Sequence, residues 1–96
     1  MIASFGDKGT EALFNGGPRK AFKLFPPDIL ASALRKLDML NAAPTLGDLA
    51  SPPGNRLEAL SGDLAGFHSI WINDQWRIIF RWQGSEAFEV QVTDYH

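Results

Sequence analysis

From Phe67 to Thr93 three strand-like runs follow one another with only short turn signals between them. That spacing commits the C-terminal half of the chain to antiparallel hairpins. The runs are Phe67 to Ile72, Gln75 to Trp82 and Ala87 to Thr93, punctuated by Asn73-Asp74 and Gln83-Gly84-Ser85. In the middle run Trp76, Ile78, Phe80 and Trp82 alternate with Arg77, Ile79 and Arg81. A two-residue Asn73-Asp74 loop would put Ile70 and Ile72 on the arginine face; a three-residue loop through Gln75 gathers the aliphatics on one side. A one-residue slip turns every side chain over, so burial selects the three-residue loop. Ser69, Trp71, Arg77 and Arg81 then share the other face. In the last run Phe88, Val90 and Val92 are expected in the core, with Glu89, Gln91, Thr93 and Tyr95 on the side of Arg77. His68 falls with Ile70 on the core side and reads as a structural histidine.

Upstream the period changes. Lys8 to Phe14 predicts a short helix stopped by Gly16-Gly17-Pro18. Pro26-Pro27-Asp28 supplies a second helix start, after which Leu30, Ala33, Leu34, Leu37 and Leu40 form one apolar stripe at helical spacing. Pro44 confirms its end, and Thr45 with Asp48 makes the pattern of a capped turn. Ser51-Pro52-Pro53-Gly54 is a rigid turn leading into a strand-like run from Arg56 to Leu60. With Met1 to Phe5 as an edge strand, the expected fold is α+β in the order β-α-α-β-β-β-β. It is an antiparallel twisted sheet with two helices packed on one face, in a single domain spanning 1–96.

Composition narrows the function classes. The chain has no cysteine, which excludes disulfides and thiolate metal sites, and two histidines cannot close a structural zinc site. No metal or other cofactor is expected. No 18-residue apolar stretch or signal-like leader appears, so the expectation is a cytoplasmic protein without membrane contact. The net charge of −2 is unusual for a nucleic-acid binder. Residues 49–96 hold three basic and six acidic side chains, so any phosphate contact must be local. The basic cluster Arg19, Lys20, Lys23, Arg35 and Lys36 is a solvated helical face or a contact to structured RNA.

Three ordered segments carry more specific information: Pro52-Pro53-Gly54-Asn55-Arg56-Leu57-Glu58-Ala59-Leu60, the pattern GxHSIxINDQWRI from Gly66 to Ile78, and Asp94-Tyr95-His96. Together they resemble the HigB branch of the RelE/ParE-type toxins, the plasmid maintenance killer family, from about Thr10 to His96. The resemblance implies a RelE-like fold with the site on the sheet face away from the helices. It also implies a toxin of a type II toxin-antitoxin system, a ribosome-dependent endoribonuclease that cuts mRNA and inhibits translation. The implied partners are the ribosome with its mRNA and a HigA-like helix-turn-helix antitoxin, in a hetero-oligomer with it. Two other readings stay open: a ParE-like toxin that poisons gyrase by binding, and an attenuated member acting as antitoxin-binding operon co-regulator.

Cleavage by a 2′-hydroxyl needs a base, a stabiliser for the charge-dense phosphorane and an acid for the leaving 5′-oxygen. A guanidinium suits the second task because its planar fork meets two phosphate oxygens. Arg77, mid-strand between apolar neighbours, is the first candidate; an ion pair to Glu58, Glu89 or Asp94 is the structural alternative. By resemblance Asp94, Tyr95 and His96 orient the RNA and move protons, with Glu58 contributing. Histidine suits that work because it titrates near neutrality. Arg81 and Lys23 are candidate RNA contacts, Arg56 is a phosphate contact or an anchor of the Pro-Pro turn, and Trp71, expected to stand exposed beside Arg77, is a candidate stacking surface. Several relatives of this branch carry basic residues where this chain has Ser61, Leu64 and Trp71, and some carry histidine near Glu58. The resemblance therefore implies weaker phosphate attraction here.

Overall fold

The computed structural model describes residues 1–94. Helix α1 (Lys8–Asn15) begins where the Asp7 carboxylate accepts the N–H of Thr10 at 2.6 Å, and ends at Gly16 in the left-handed region at φ 76°. Helix α2 (Leu30–Ala42) is entered through a 3-10 turn at Pro27–Ile29 rather than starting at Pro26. Its stripe is buried through Ala33, Leu37 and Leu40. The turn at Leu46–Ala50 carries the expected reciprocal cap between Thr45 and Asp48.

The sheet has the order β1 (Glu58–Ala59), β2 (Phe67–Trp71), β3 (Trp76–Gln83) and β4 (Glu86–Asp94), each pair antiparallel. Ile70 pairs with Ile78 and Trp71 with Arg77, the register of the three-residue loop. The Asn73 side chain closes that loop by accepting the N–H groups of Gln75 (2.9 Å) and Trp76 (2.7 Å). The N-terminal segment runs alongside β4 in parallel through isolated bridges, Ile2 to Ala87 and Phe5 to Val90, instead of forming a full strand. Between Arg56 and Leu60 only Glu58–Ala59 pairs, because the residues before it are held in a 3-10 turn at Pro53–Asn55.

One expectation about β4 fails. Arg81 pairs with Phe88 while Ile79 pairs with Gln91, so β4 carries an extra residue opposite Phe80. Glu89 absorbs it with φ 53° and anchors its N–H on the Ser4 hydroxyl at 2.9 Å. Such a bulge reverses the alternation. Val90 and Val92 do enter the core, but Ala87 takes the third place and Phe88 turns to the arginine side.

Both helices lie on the face formed by Ile70, Ile78, Phe80, Ala87, Val90 and Val92, and share one core with it. The fully buried Thr10 hydroxyl accepts the Val92 N–H at 2.9 Å, tying α1 to the last strand. His68 stacks on Phe80 on this side, 5.9 Å between ring centres, on the core side where alternation placed it. Its Nδ1 has no hydrogen-bond partner among the described residues. The face with Arg77 is left uncovered by either helix.

Candidate active site

Strand pairing assembles the uncovered face residue by residue. Glu58 stands opposite Ser69, Trp71 opposite Arg77, Arg77 opposite Thr93, and Ile79 opposite Gln91. Directly paired residues share a face, so Glu58, Ser69, Trp71, Arg77 and Thr93 lie together across four strands. Arg56 ends the turn that leads into β1, and β1 lies on the other side of β2 from β3, so Arg56 approaches Trp71 from the side away from Arg77.

At the centre Trp71 is held between two arginines. The guanidinium carbon of Arg77 lies 3.8 Å from the indole ring centre and that of Arg56 lies 3.9 Å from it. Strand order places the arginines on opposite sides, so each covers one face of the ring. Trp71 is therefore half-buried and stacked on both faces, not open to a base as its place in the sequence suggested. Arg77 itself is only 8% exposed. One of its terminal nitrogens donates to the carbonyls of Asn73 and, at 3.3 Å, Trp76. The Asn73 loop thus aims the arginine as well as reversing the chain.

Arg56 leaves the Pro53–Asn55 turn with φ 47°, a left-handed conformation. The turn is pinned by Asn55, which is wholly buried. Its Nδ2 donates to the Leu49 carbonyl (3.0 Å) and the Met39 sulfur (3.1 Å), while its Oδ1 accepts from Lys36 on α2. Burial first, and the neighbouring Arg35 charge second, hold the Lys36 ammonium below the usual lysine range. Asn55 and Asn73 hold the turns that carry Arg56 and Arg77, a part that motif reading did not assign to them. A polar residue inside a Pro-Gly turn, or opening a short hairpin loop, was the available signal.

The other candidates spread away from this centre. Arg81 stacks over Phe67 at 4.3 Å and pairs with Glu89 at 2.8 Å, both side chains about half exposed. It borders a cleft of about 540 Å³ with Gly66, Phe88 and Ser4, farther along the same sheet. Glu89, one of the partners considered for Arg77, is thereby engaged by Arg81. Glu58 is exposed on the arginine face. Asp94 pairs with Trp76, one step beyond the Arg77–Thr93 pair, and accepts the Gln75 side-chain N–H at 2.9 Å. Lys23 is in the helix layer, on the turn that carries Phe25 edge-on against Trp76, and not on the face with Arg77. Tyr95 and His96 lie outside the described residues.

Residues 3–96 match the model of a family described as RelE-like toxin of type II toxin-antitoxin system HigB. The chain belongs to that family. Among its relatives is Toxin HigB-1 of Vibrio cholerae serotype O1, 43% identical over 82 residues, which cover 85% of this chain and 84% of that one. Endoribonuclease HigB of Proteus vulgaris is 31% identical over 96 residues, the full length of both. An uncharacterized protein of Haemophilus influenzae is 38% identical over 62 residues, 65% of this chain and 61% of its own. The two helices against a four-stranded antiparallel sheet are the α+β fold of this RelE-like toxin, and a type II system implies an antitoxin partner. Among the described residues no helix is long and apolar enough to cross a membrane.

Proposed function

We propose that this HigB-type toxin is an endoribonuclease that cuts mRNA on the ribosome by attack of a 2′-hydroxyl on the adjacent phosphate. The observation that carries this reading is the Arg56–Trp71–Arg77 stack on a sheet face free of helices, in a chain alignable end to end with an enzyme named Endoribonuclease HigB. Arg77, aimed by the Asn73 carbonyl, stabilises the phosphorane. Its small exposed edge suits a group that meets charge developing at a single position. Tyr95 and His96 follow directly on Asp94, and in this reading they supply proton transfer and positioning. Glu58 contributes a carboxylate from the opposite edge of the face. The antitoxin is a HigA-like helix-turn-helix protein that neutralises the toxin, and the site of action is the cytoplasm.

The test is to map mRNA 5′ ends after brief induction without antitoxin, for the wild type, Arg77→Ala and Arg77→Lys. Codon-phased cuts in translated messages, lost in both variants, support the assignment, because lysine keeps the charge but not the planar fork. Growth arrest with intact messages and damaged DNA would refute the nuclease reading in favour of gyrase poisoning.

A further inference from the structure

Two cations held against one indole, with a buried device aiming one of them, call for an anion. Within the ribonuclease reading, we propose that Arg56 and Arg77 bind successive phosphates of the RNA, with Trp71 as the positioning residue that sets their spacing. Arg77 serves the scissile phosphate and Arg56 its neighbour, so this rests on the preceding assignment and adds a subsite to it.

The geometry begins with the stack. With one guanidinium on each face of Trp71, the two carbons stand at most about 8 Å apart. That span suits neighbouring phosphates on one strand. Stacking uses the π-face of a guanidinium and leaves its N–H donors in the plane, where phosphate oxygens approach. None of the Arg56 side-chain donors has a hydrogen-bond partner among the described residues, and Arg56 is exposed.

Arg56 is also aimed by its backbone. Its N–H donates to Pro53 at 3.1 Å, the Asn55 N–H donates to Pro52 at 3.0 Å, and buried Asn55 fastens the turn to α2. An arginine that merely solubilised the surface would need neither the left-handed backbone nor the indole. The acidic balance of the C-terminal half makes such organisation necessary, because no general positive field gathers the strand.

The experiment is single-turnover cleavage on ribosomes programmed with a short message, titrating toxin at several salt concentrations. Arg56→Ala is expected to raise the half-saturating toxin concentration about tenfold with little change in maximal rate. It should also flatten the log–log salt dependence by about 0.7, the contribution of one phosphate contact on a single strand. Arg56→Lys restores the salt slope but only part of the affinity. Trp71→Leu weakens binding and lowers the maximal rate together, since both arginines lose their stop, whereas Trp71→Phe retains both. Lys8→Ala, removing an exposed charge on α1, leaves the slope unchanged. A wild type that cuts while Arg56→Ala keeps its half-saturation and slope overturns the subsite alone. A Trp71→Leu variant matching the wild type overturns the positioning role. A wild type that does not cut overturns the ribonuclease reading and the subsite with it.

Discussion

Replacing Asn55 by alanine should destabilise this toxin far more than its place in a surface turn suggests. Asn55 is wholly buried, and its side chain makes three polar contacts, to Leu49, Met39 and Lys36. Removing it strands the Leu49 carbonyl beside a fully buried side chain, and an unsatisfied buried acceptor costs about 1–3 kcal/mol. Lys36 can turn toward solvent, so its lost bond adds at most about 1 kcal/mol. The sum is about 1–4 kcal/mol, a large share of the 5–15 kcal/mol typical of small domains. For a domain of this size that lowers Tm by roughly 4–30 °C. Urea and thermal unfolding of the purified, antitoxin-free toxin measure it. Asn55→Asp discriminates the source, because it keeps an acceptor for Lys36 but faces the Leu49 carbonyl with a second acceptor. A loss below about 1 kcal/mol for alanine, or wild-type stability for Asp, would mean that the turn does not depend on the buried amide.

Further perturbations follow the same physics. Leu37→Ala, at a fully buried point of the α2 stripe, should cost about 2–5 kcal/mol by chemical denaturation. Gly66→Ala should cost about 1–3 kcal/mol from its φ of 92° alone. The added Cβ would lie 2.8 Å from an Arg81 terminal nitrogen, which can swing aside, so Gly66→Ala with Arg81→Ala should recover little stability. Glu89→Gln should change unfolding by less than about 0.5 kcal/mol, since the Arg81 pair is open to solvent. Lys36 binds its proton less tightly folded than unfolded, so its contribution makes stability rise as pH climbs from its folded pKa toward 10.5. Lys36→Met should remove that rise in urea titrations at successive pH values, and Arg35→Ala should leave most of it, burial being the larger cause.

The elements were legible where local chemistry and burial agree. The leucine stripe, the Gly16 stop, the Thr45–Asp48 cap and the three-residue hairpin each follow from periods and turn residues that tertiary packing has no reason to override. The same alternation placed Arg77 with Trp71 and Ser69 on the face away from the helices. It failed at Phe88 because a bulge leaves no mark in alternation when both candidate core residues are apolar. The extra residue is chosen by the N-terminal segment, whose Ser4 hydroxyl and backbone hold Glu89 and Val90 from the far end of the chain.

What the sequence determined by itself was the antiparallel meander, the helix layer and the face on which Arg77 stands, because these depend on residues near one another in the chain. Only the tertiary structure decided what Trp71 does. Trp71 and Arg77 sit on neighbouring strands and Arg56 on the turn before β1, and the turns that place them rest on buried Asn55 and on Asn73. Cation–π stacking depends on distances of a few ångströms across those elements, and residue order along one strand does not encode them.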